Sequence, residues 1–342
     1  MKLELIECQP TPVFAKQAAL SQGVQFGFEG GTAHKVGSRY YVFTTESFAE
    51  PKTAASRLAL YVSDNATSFS RHSTVLEPQG DWRQPATYWT PWSPMVVFDQ
   101  AADRWSLVYV HYVRKPGSDQ PYNMTGRMAR LTSATPGRAG IVGPWVSAGW
   151  IDLPEDKPDP WEGSCKIVSF FPYQAADGRW WGFYGSNNAP EFIPPQDLPQ
   201  EGSTMKFWVG LARSSDNTLS GRWDRQTALN PVLMDPDFME NPVVTRLQND
   251  LFICVYDGGN THSLSYAFSR DGVHWDKEQV LPIPQAPTWL KAVRTPLGLI
   301  DEADGTYTIF FTAFDGVNPE GIVPHWHDGF GNLGRVRVRV AP

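Results

Sequence analysis

The sequence predicts an all-β protein, a single five-bladed β-propeller of four-stranded antiparallel blades spanning residues 1–342. Three observations predict it. The chain carries 14 Trp, 12 Tyr and 19 Phe beside 29 Gly and 29 Pro. Aromatics favour strands, and Gly and Pro punctuate turns. Long runs of helical period are missing, with residues 17–20 the only short helical turn suggested. Finally, one hairpin pattern recurs five times, and an internal repeat decides the architecture before any local reading does.

The first copy is EGGTAHKVGSRYYVFTT, from Glu29. WSPMVVFDQAADRWSLVYVHY follows from Trp92, and EGSCKIVSFFPYQAADGRWWGFYGSN from Glu162. ENPVVTRLQNDLFICVYDGG begins at Glu240, and RTPLGLIDEADGTYTIFFTAFDG at Arg294. Each opens on a distinctive residue and a small or Pro residue, then runs apolar strand, Gly/Asp/Asn turn, aromatic strand. That is a β-hairpin signature.

A second motif follows most hairpins: YVSDNATSF, ARSSDNTLSGRW and YAFSRDGVHW, with ARLTSATPGRAGIVGPW a looser version. It supplies a third strand, a turn and a fourth strand, which completes a blade. In these turns Asp64 and Asp271 are expected to cap their own loops, and Phe69 and Trp275 to pack between blades. The alternating segment GRVRVRVA, from Gly334, ends the fifth blade. Residues 2–7 are expected to supply its missing strand and so close the ring.

Composition excludes several classes. The formal net charge is −7, so a polyanion such as nucleic acid is not an expected partner. No stretch approaches 18 apolar residues, so no membrane span is expected. The N-terminus lacks an apolar leader core, so the expectation is a cytoplasmic protein or one whose leader is absent from this sequence. Cys8, Cys165 and Cys254 show no CxxC spacing, so neither disulfides nor structural zinc are implied.

Propeller geometry ranks the candidates for chemistry. Each innermost strand starts at one mouth of the central channel, and its partner returns there. The opening positions are Glu29, Trp92, Glu162, Glu240 and Arg294. The returning ends supply Glu46, His111, Asn187, Asn188, Asp257 and Asp315. Charges crowded on a narrow axis are costly unless paired, so the cluster is a candidate site. Glycoside hydrolysis needs two carboxyls across the scissile bond, and Glu29, Glu162 and Glu240 are the expected catalytic set. Trp89, Trp92, His111, Asn187, Asp257 and Arg294 are expected to bind substrate, Trp89 equally placed to pack between blades. His34, inside the first strand, reads as a packed residue.

Trp161-Glu162-Gly163 resembles the general-acid motif of the five-bladed glycoside hydrolases of family 43 and their relatives. The resemblance covers the hairpin pattern along nearly the whole chain. It implies that Glu162 is the general acid and Glu29 the base of an inverting enzyme, with arabinofuranosides the favoured substrates. Two departures mark a distant relative. The blade-one carboxylate is usually Asp, and the blade-two motif Trp-Ala-Pro-Asp is Trp92-Ser-Pro-Met95 here. Glu240 can replace the missing acid, which leaves Glu29–Glu240 and Glu162–Glu240 as further pairs. His325 and His327 lie in the last long loop, as sugar-contacting residues rather than metal ligands, and one of them could serve as the acid. No cofactor is implied, although the resemblance leaves room for a structural cation near the axis. The expected partner is an oligosaccharide, attacked from its end. A non-catalytic carbohydrate-binding propeller is the alternative, as is a phosphorylase or transferase. Phosphate handling would need more cations than Arg294 at the mouth.

Overall fold

The computed structural model describes residues 1–16, 18, 23–48, 56–81, 84, 87–113, 127–154, 158–163, 167, 169–187, 206–232, 234–235, 238–260, 262–284, 288–315 and 331–342. Residues 17, 19 and 20 of the suggested helical turn, with Cys165, Asn188, His325 and His327, lie outside them.

The described strands form five four-stranded sheets. Strand β1 (Lys2–Cys8) precedes blade one, which comprises β2 (Val24–Val36), β3 (Arg39–Phe48), β4 (Ser56–Ser63) and β5 (Ser70–Leu76). Blade two comprises β6 (Trp89–Asp99), β7 (Arg104–Val113), β8 (Arg127–Ser133) and β9 (Trp145–Trp150). Blade three is β10 (Ser169–Gln174), β11 (Trp180–Asn187), β12 (Phe207–Ser214) and β13 (Trp223–Arg225). Blade four is β14 (Glu240–Arg246), β15 (Phe252–Asp257), β16 (Ser263–Ser269) and β17 (Gln279–Pro282). Blade five holds β18 (Ala292–Asp301), β19 (Tyr307–Phe314) and β20 (Asn332–Ala341). Its fourth strand is β1, antiparallel to β20 from Lys2 opposite Ala341 to Cys8 opposite Val336. The N-terminal segment therefore closes the ring as expected and covers the open side of β20.

Apolar side chains fill the seams between blades. Leu58 and Leu60 of blade one share a buried cluster with Trp105 and Leu107 of blade two. Phe69 meets Phe310 of blade five edge-on at 5.2 Å, and Trp275 of blade four lies 5.7 Å from Phe183 of blade three. Asp271 caps its turn, accepting from the backbone N–H groups of Val273 and His274 at 2.8 Å. In the first blade that work falls to Asn65, which accepts from Thr67 and Ser68. Asp64 instead pairs outward with Arg39.

A local irregularity recurs at the opening of the innermost strands. Pairing slips between Glu29 and Gly31, Trp92 and Met95, Glu240 and Val243, and Val293 and Pro296. Three of these bulges hold a residue in the left-handed region: Gly30 at φ +64°, Ser93 and Asn241 each at +49°. Inserting a residue re-aims the neighbouring side chain. The small residue after each opening position in the repeat therefore has a geometric reason. Hydrogen bonds tie the bulges together, with Ser93 N–H donating to Thr45 Oγ1 at 2.8 Å and Val96 N–H to Thr32 Oγ1 at 3.0 Å.

Candidate active site

Arg294 organises the mouth of the channel. It opens the fifth repeat on β18, and its guanidinium reaches three carboxyls from two other blades. Nη1 donates to Asp257 Oδ2 at 2.7 Å and Nη2 to Glu240 Oε2 at 2.8 Å. Nε lies 3.3 Å from Glu29 Oε1. Glu240 and Asp257 stand directly opposite each other on β14 and β15. Like charges in that position repel, and the shared cation offsets the repulsion.

The carboxyls are held differently. Asp257 Oδ2 also accepts from Asn241 Nδ2 at 2.8 Å and Thr295 Oγ1 at 3.3 Å, while Oδ1 is buried without a partner among the described residues. Burial lifts its pKa to about 6 against the pull of Arg294. Glu29 is only 4% exposed. Burial, reinforced by the charges of Asp257 and Glu240, pushes its pKa to about 7 despite Arg294. Tyr112 borders the same cluster: burial raises its phenol, and Glu29 and Glu240 add to the rise. The ring of Trp92 lies 6.2 Å from that of Tyr112.

Glu162, expected to open the innermost strand of blade three, instead lies ahead of β10, which begins at Ser169. Arg225, on the outermost strand of its own blade, donates Nε to Glu162 Oε1 at 2.7 Å and Nη2 to Oε2 at 3.0 Å. Tyr184 and the N–H of Asp159 also donate to Oε1, each at 3.0 Å. Asp159 extends the cluster through Thr227 at 2.6 Å and Asn230 at 2.7 Å. Both oxygens of Glu162 thus accept from a guanidinium fork. The strongest charges acting on Glu29 are Arg294, Asp257 and Glu240, not Glu162. Among the described residues, Glu29, Glu240 and Asp257 share Arg294, whereas Glu162 pairs with Arg225.

Of the other returning ends, Glu46 is wholly buried against Arg57, Arg71 and Tyr61. Asp315 pairs with Lys16 at 2.7 Å. Asn187 ends β11, and its side chain is not among those described. Trp89 stacks on His111 with ring centroids 4.0 Å apart. His34 packs edge-on against Trp105 at 5.1 Å, and burial lowers its pKa to about 4. Sequence reasoning missed Tyr112, Asn241 and Thr295 as members of the cluster. Asn241 and Thr295 each follow an opening residue directly, and Tyr112 follows His111, so neighbours of the opening and returning positions were the available signal. Among the described residues no group of three or more His, Cys, Asp or Glu is placed to hold a metal ion.

No family model matches the chain, and no curated protein matches it in sequence. Solved structures do. The chain is similar to BT0996 in the structure of its RGII complex, with TM-score 0.65 and 16% identity over 100% of this chain and 92% of that one. It is similar to Zg3597, a family 117 glycoside hydrolase produced by the marine bacterium Zobellia galactanivorans, with TM-score 0.63 and 13% identity over 99% and 90% of the two chains. It is also similar to 1,3Gal43A, an exo-beta-1,3-galactanase from Clostridium thermocellum, with TM-score 0.58 and 13% identity over 99% and 63%. At these identities the likeness establishes the fold: a five-bladed propeller of the kind seen in glycoside hydrolase structures, distantly resembling family 43.

Proposed function

We propose that the chain is a glycoside hydrolase whose catalytic pair is Glu29 and Glu240. The observation that carries the reading is the contrast between these two carboxyls around one cation. Glu29, at a pKa of about 7, still holds a proton near neutrality and can give it to a leaving glycosidic oxygen. Glu240 is paired with Arg294 at 2.8 Å and supplies the second carboxylate. Asp257, Asn241 and Thr295 keep the guanidinium and Glu240 in place.

The close spacing supports a retaining course. Glu29 and Glu240 bind adjacent nitrogens, Nε and Nη2, of the same guanidinium. Sharing one guanidinium limits how far apart they can lie. Retaining pairs lie about 5–5.5 Å apart and inverting pairs about 6.5–9.5 Å. Glu240 then attacks the anomeric carbon as Glu29 protonates the departing oxygen. Water next breaks the glycosyl–Glu240 bond, with Glu29 taking its proton. This reading replaces the inverting Glu29–Glu162 pair that the sequence resemblance implies. Its support is that Glu162 is occupied by Arg225 at 2.7 Å.

The site sits where the innermost strands converge, which favours a terminal sugar and exo action. Among the similar structures is an exo-beta-1,3-galactanase, so β-1,3-galactosides join arabinofuranosides as first substrates to try. The test is hydrolysis of aryl galactosides, aryl arabinofuranosides and β-1,3-galacto-oligosaccharides by the parent and by Glu29→Gln and Glu240→Gln. Both variants should lose at least a hundredfold in kcat, and NMR of the first-formed sugar should show a retained anomer. An inverted anomer would rule out Glu240 as nucleophile. Sugar binding without turnover by the parent would favour the non-catalytic propeller.

A further inference from the structure

Blade two carries a stripe of aromatic and cationic side chains across all four strands at its mouth end. Trp89 opens β6, and its ring stacks on His111 of β7 with 24° between the planes. The imidazole of His111 meets the indole of Trp150, on β9, edge-on at 5.2 Å. Arg127 of β8 lies 4.7 Å over that same indole. Strand register explains why they meet. Val113 is opposite Trp89, Arg127 is opposite His111, and Trp150 is opposite Ala129, two residues from Arg127. Side chains two residues apart or directly opposite share one face of a sheet.

The stripe opens outward. Trp89 and His111 are half-buried, whereas Val113 is 37% and Trp150 44% exposed. Burial, then the charge of Arg127, lowers the His111 pKa to about 4. Its ring therefore serves as a neutral aromatic surface. The exposed indole is the outer end of a contiguous aromatic run, and contiguous exposed apolar surface is what marks an interaction site. The run starts three residues before Trp92, which neighbours Tyr112 and through it the Glu29 and Glu240 charges. It then crosses three strand spacings, roughly 14 Å.

We propose that this stripe is a carbohydrate-binding subsite for the part of an oligosaccharide beyond the scissile bond, with Trp150 as its outer platform and Arg127 bracing the indole. The occupant is a sugar chain because the stripe is continuous with the mouth, and because apolar sugar faces stack on exposed aromatic rings while their hydroxyls stay wet. The inference rests on the glycosidase reading, and its test separates the two.

Binding of β-1,3-galacto-oligosaccharides and arabinofuranose oligosaccharides of increasing length is measured by calorimetry in the Glu29→Gln protein. Affinity should rise with length beyond the disaccharide. Adding Trp150→Ala should remove that rise and weaken the longest ligand roughly tenfold. Trp150→Phe should restore part of it, and Val280→Ala, an exposed apolar change on blade four, should leave it intact. Circular dichroism and melting curves confirm that each variant is folded. Equal affinity for long ligands with and without Trp150 overturns the subsite, as does an absence of binding by every oligosaccharide in the panel. Should Glu29→Gln still hydrolyse the sugar, the catalytic assignment fails, and the effect of Trp150→Ala is then read from the dependence of KM on chain length.

Discussion

Glu29 Oε1 lies 3.3 Å from Arg294 Nε, the longest of the three carboxylate contacts that this guanidinium makes among the described residues. Asp257 and Glu240 hold the cation more closely, so Glu29 receives burial with less compensation. That relationship sets the first prediction. If Glu29 is the proton donor, kcat/KM should fall on the alkaline side with a midpoint near pH 7, where Glu29 loses its proton. A pH–rate profile that stays flat from pH 6 to 9 would remove Glu29 from that role.

The same shift has a consequence for stability. The folded pKa of Glu29, about 7, exceeds its ordinary value of 4.5. The folded state thus binds more protons than the unfolded state between these values. Its contribution is fully present below about pH 4.5, declines as pH rises to about 7, and is flat above. Glu29→Gln mimics the protonated form. It should match the parent at pH 4 and exceed it by on the order of 1–3 kcal/mol at pH 8. Denaturant melts at the two pH values check this, and a variant less stable than the parent at pH 8 would contradict it.

Removing the shared cation should do the opposite. Arg294→Met leaves Glu29, Glu240 and Asp257 without the guanidinium that joins them. The expected loss at pH 8 is about 3–5 kcal/mol. At pH 5, below the pKa of about 6 for Asp257 and about 7 for Glu29, both are largely neutral and the loss should shrink. Equal losses at both pH values would mean that the Arg294 side chain stabilises by packing rather than charge.

Glu162→Gln discriminates a structural role from a catalytic one. Glu162 is buried and bidentate with Arg225, so breaking the pair should cost about 3 kcal/mol and leave kcat within about tenfold. Replacing both residues, Glu162→Gln with Arg225→Met, should recover part of the loss in a double-mutant cycle. A thermally intact Glu162→Gln protein with a thousandfold lower rate would restore Glu162 to the chemistry.

Asn241 combines backbone and side-chain duties. It sits at φ +49° and donates to Asp257 at 2.8 Å. Asn241→Gly tolerates the left-handed backbone and deletes only the amide. It should lower kcat about tenfold with less than about 1 kcal/mol lost. Asn241→Val, β-branched at positive φ, should lose clearly more stability. Equal melting points for the two would show that the bulge does not constrain this position.

Much of the architecture was determined by the sequence alone. Five copies of one hairpin, each with its own turn chemistry, specify five blades because strand alternation and turn residues are local properties. The alternating C-terminal strand called for a partner, and residues 2–7 were the available one. The opening positions were legible too, since a bulge needs a small or left-handed residue and Gly30, Ser93 and Asn241 supply it. What tertiary structure decided was which charges meet. Glu29 lies within β2 and Glu240 opens β14, whereas Glu162 falls ahead of β10 and is claimed by Arg225 from β13, 63 residues later. Glu46 is likewise taken by Arg57 and Arg71. A buried carboxylate pairs with whichever guanidinium packing brings within reach, and that depends on contacts between strands far apart in the chain. Local pattern therefore located the ring of candidate carboxyls, while long-range packing sorted them into those tied up in ion pairs and those gathered around Arg294.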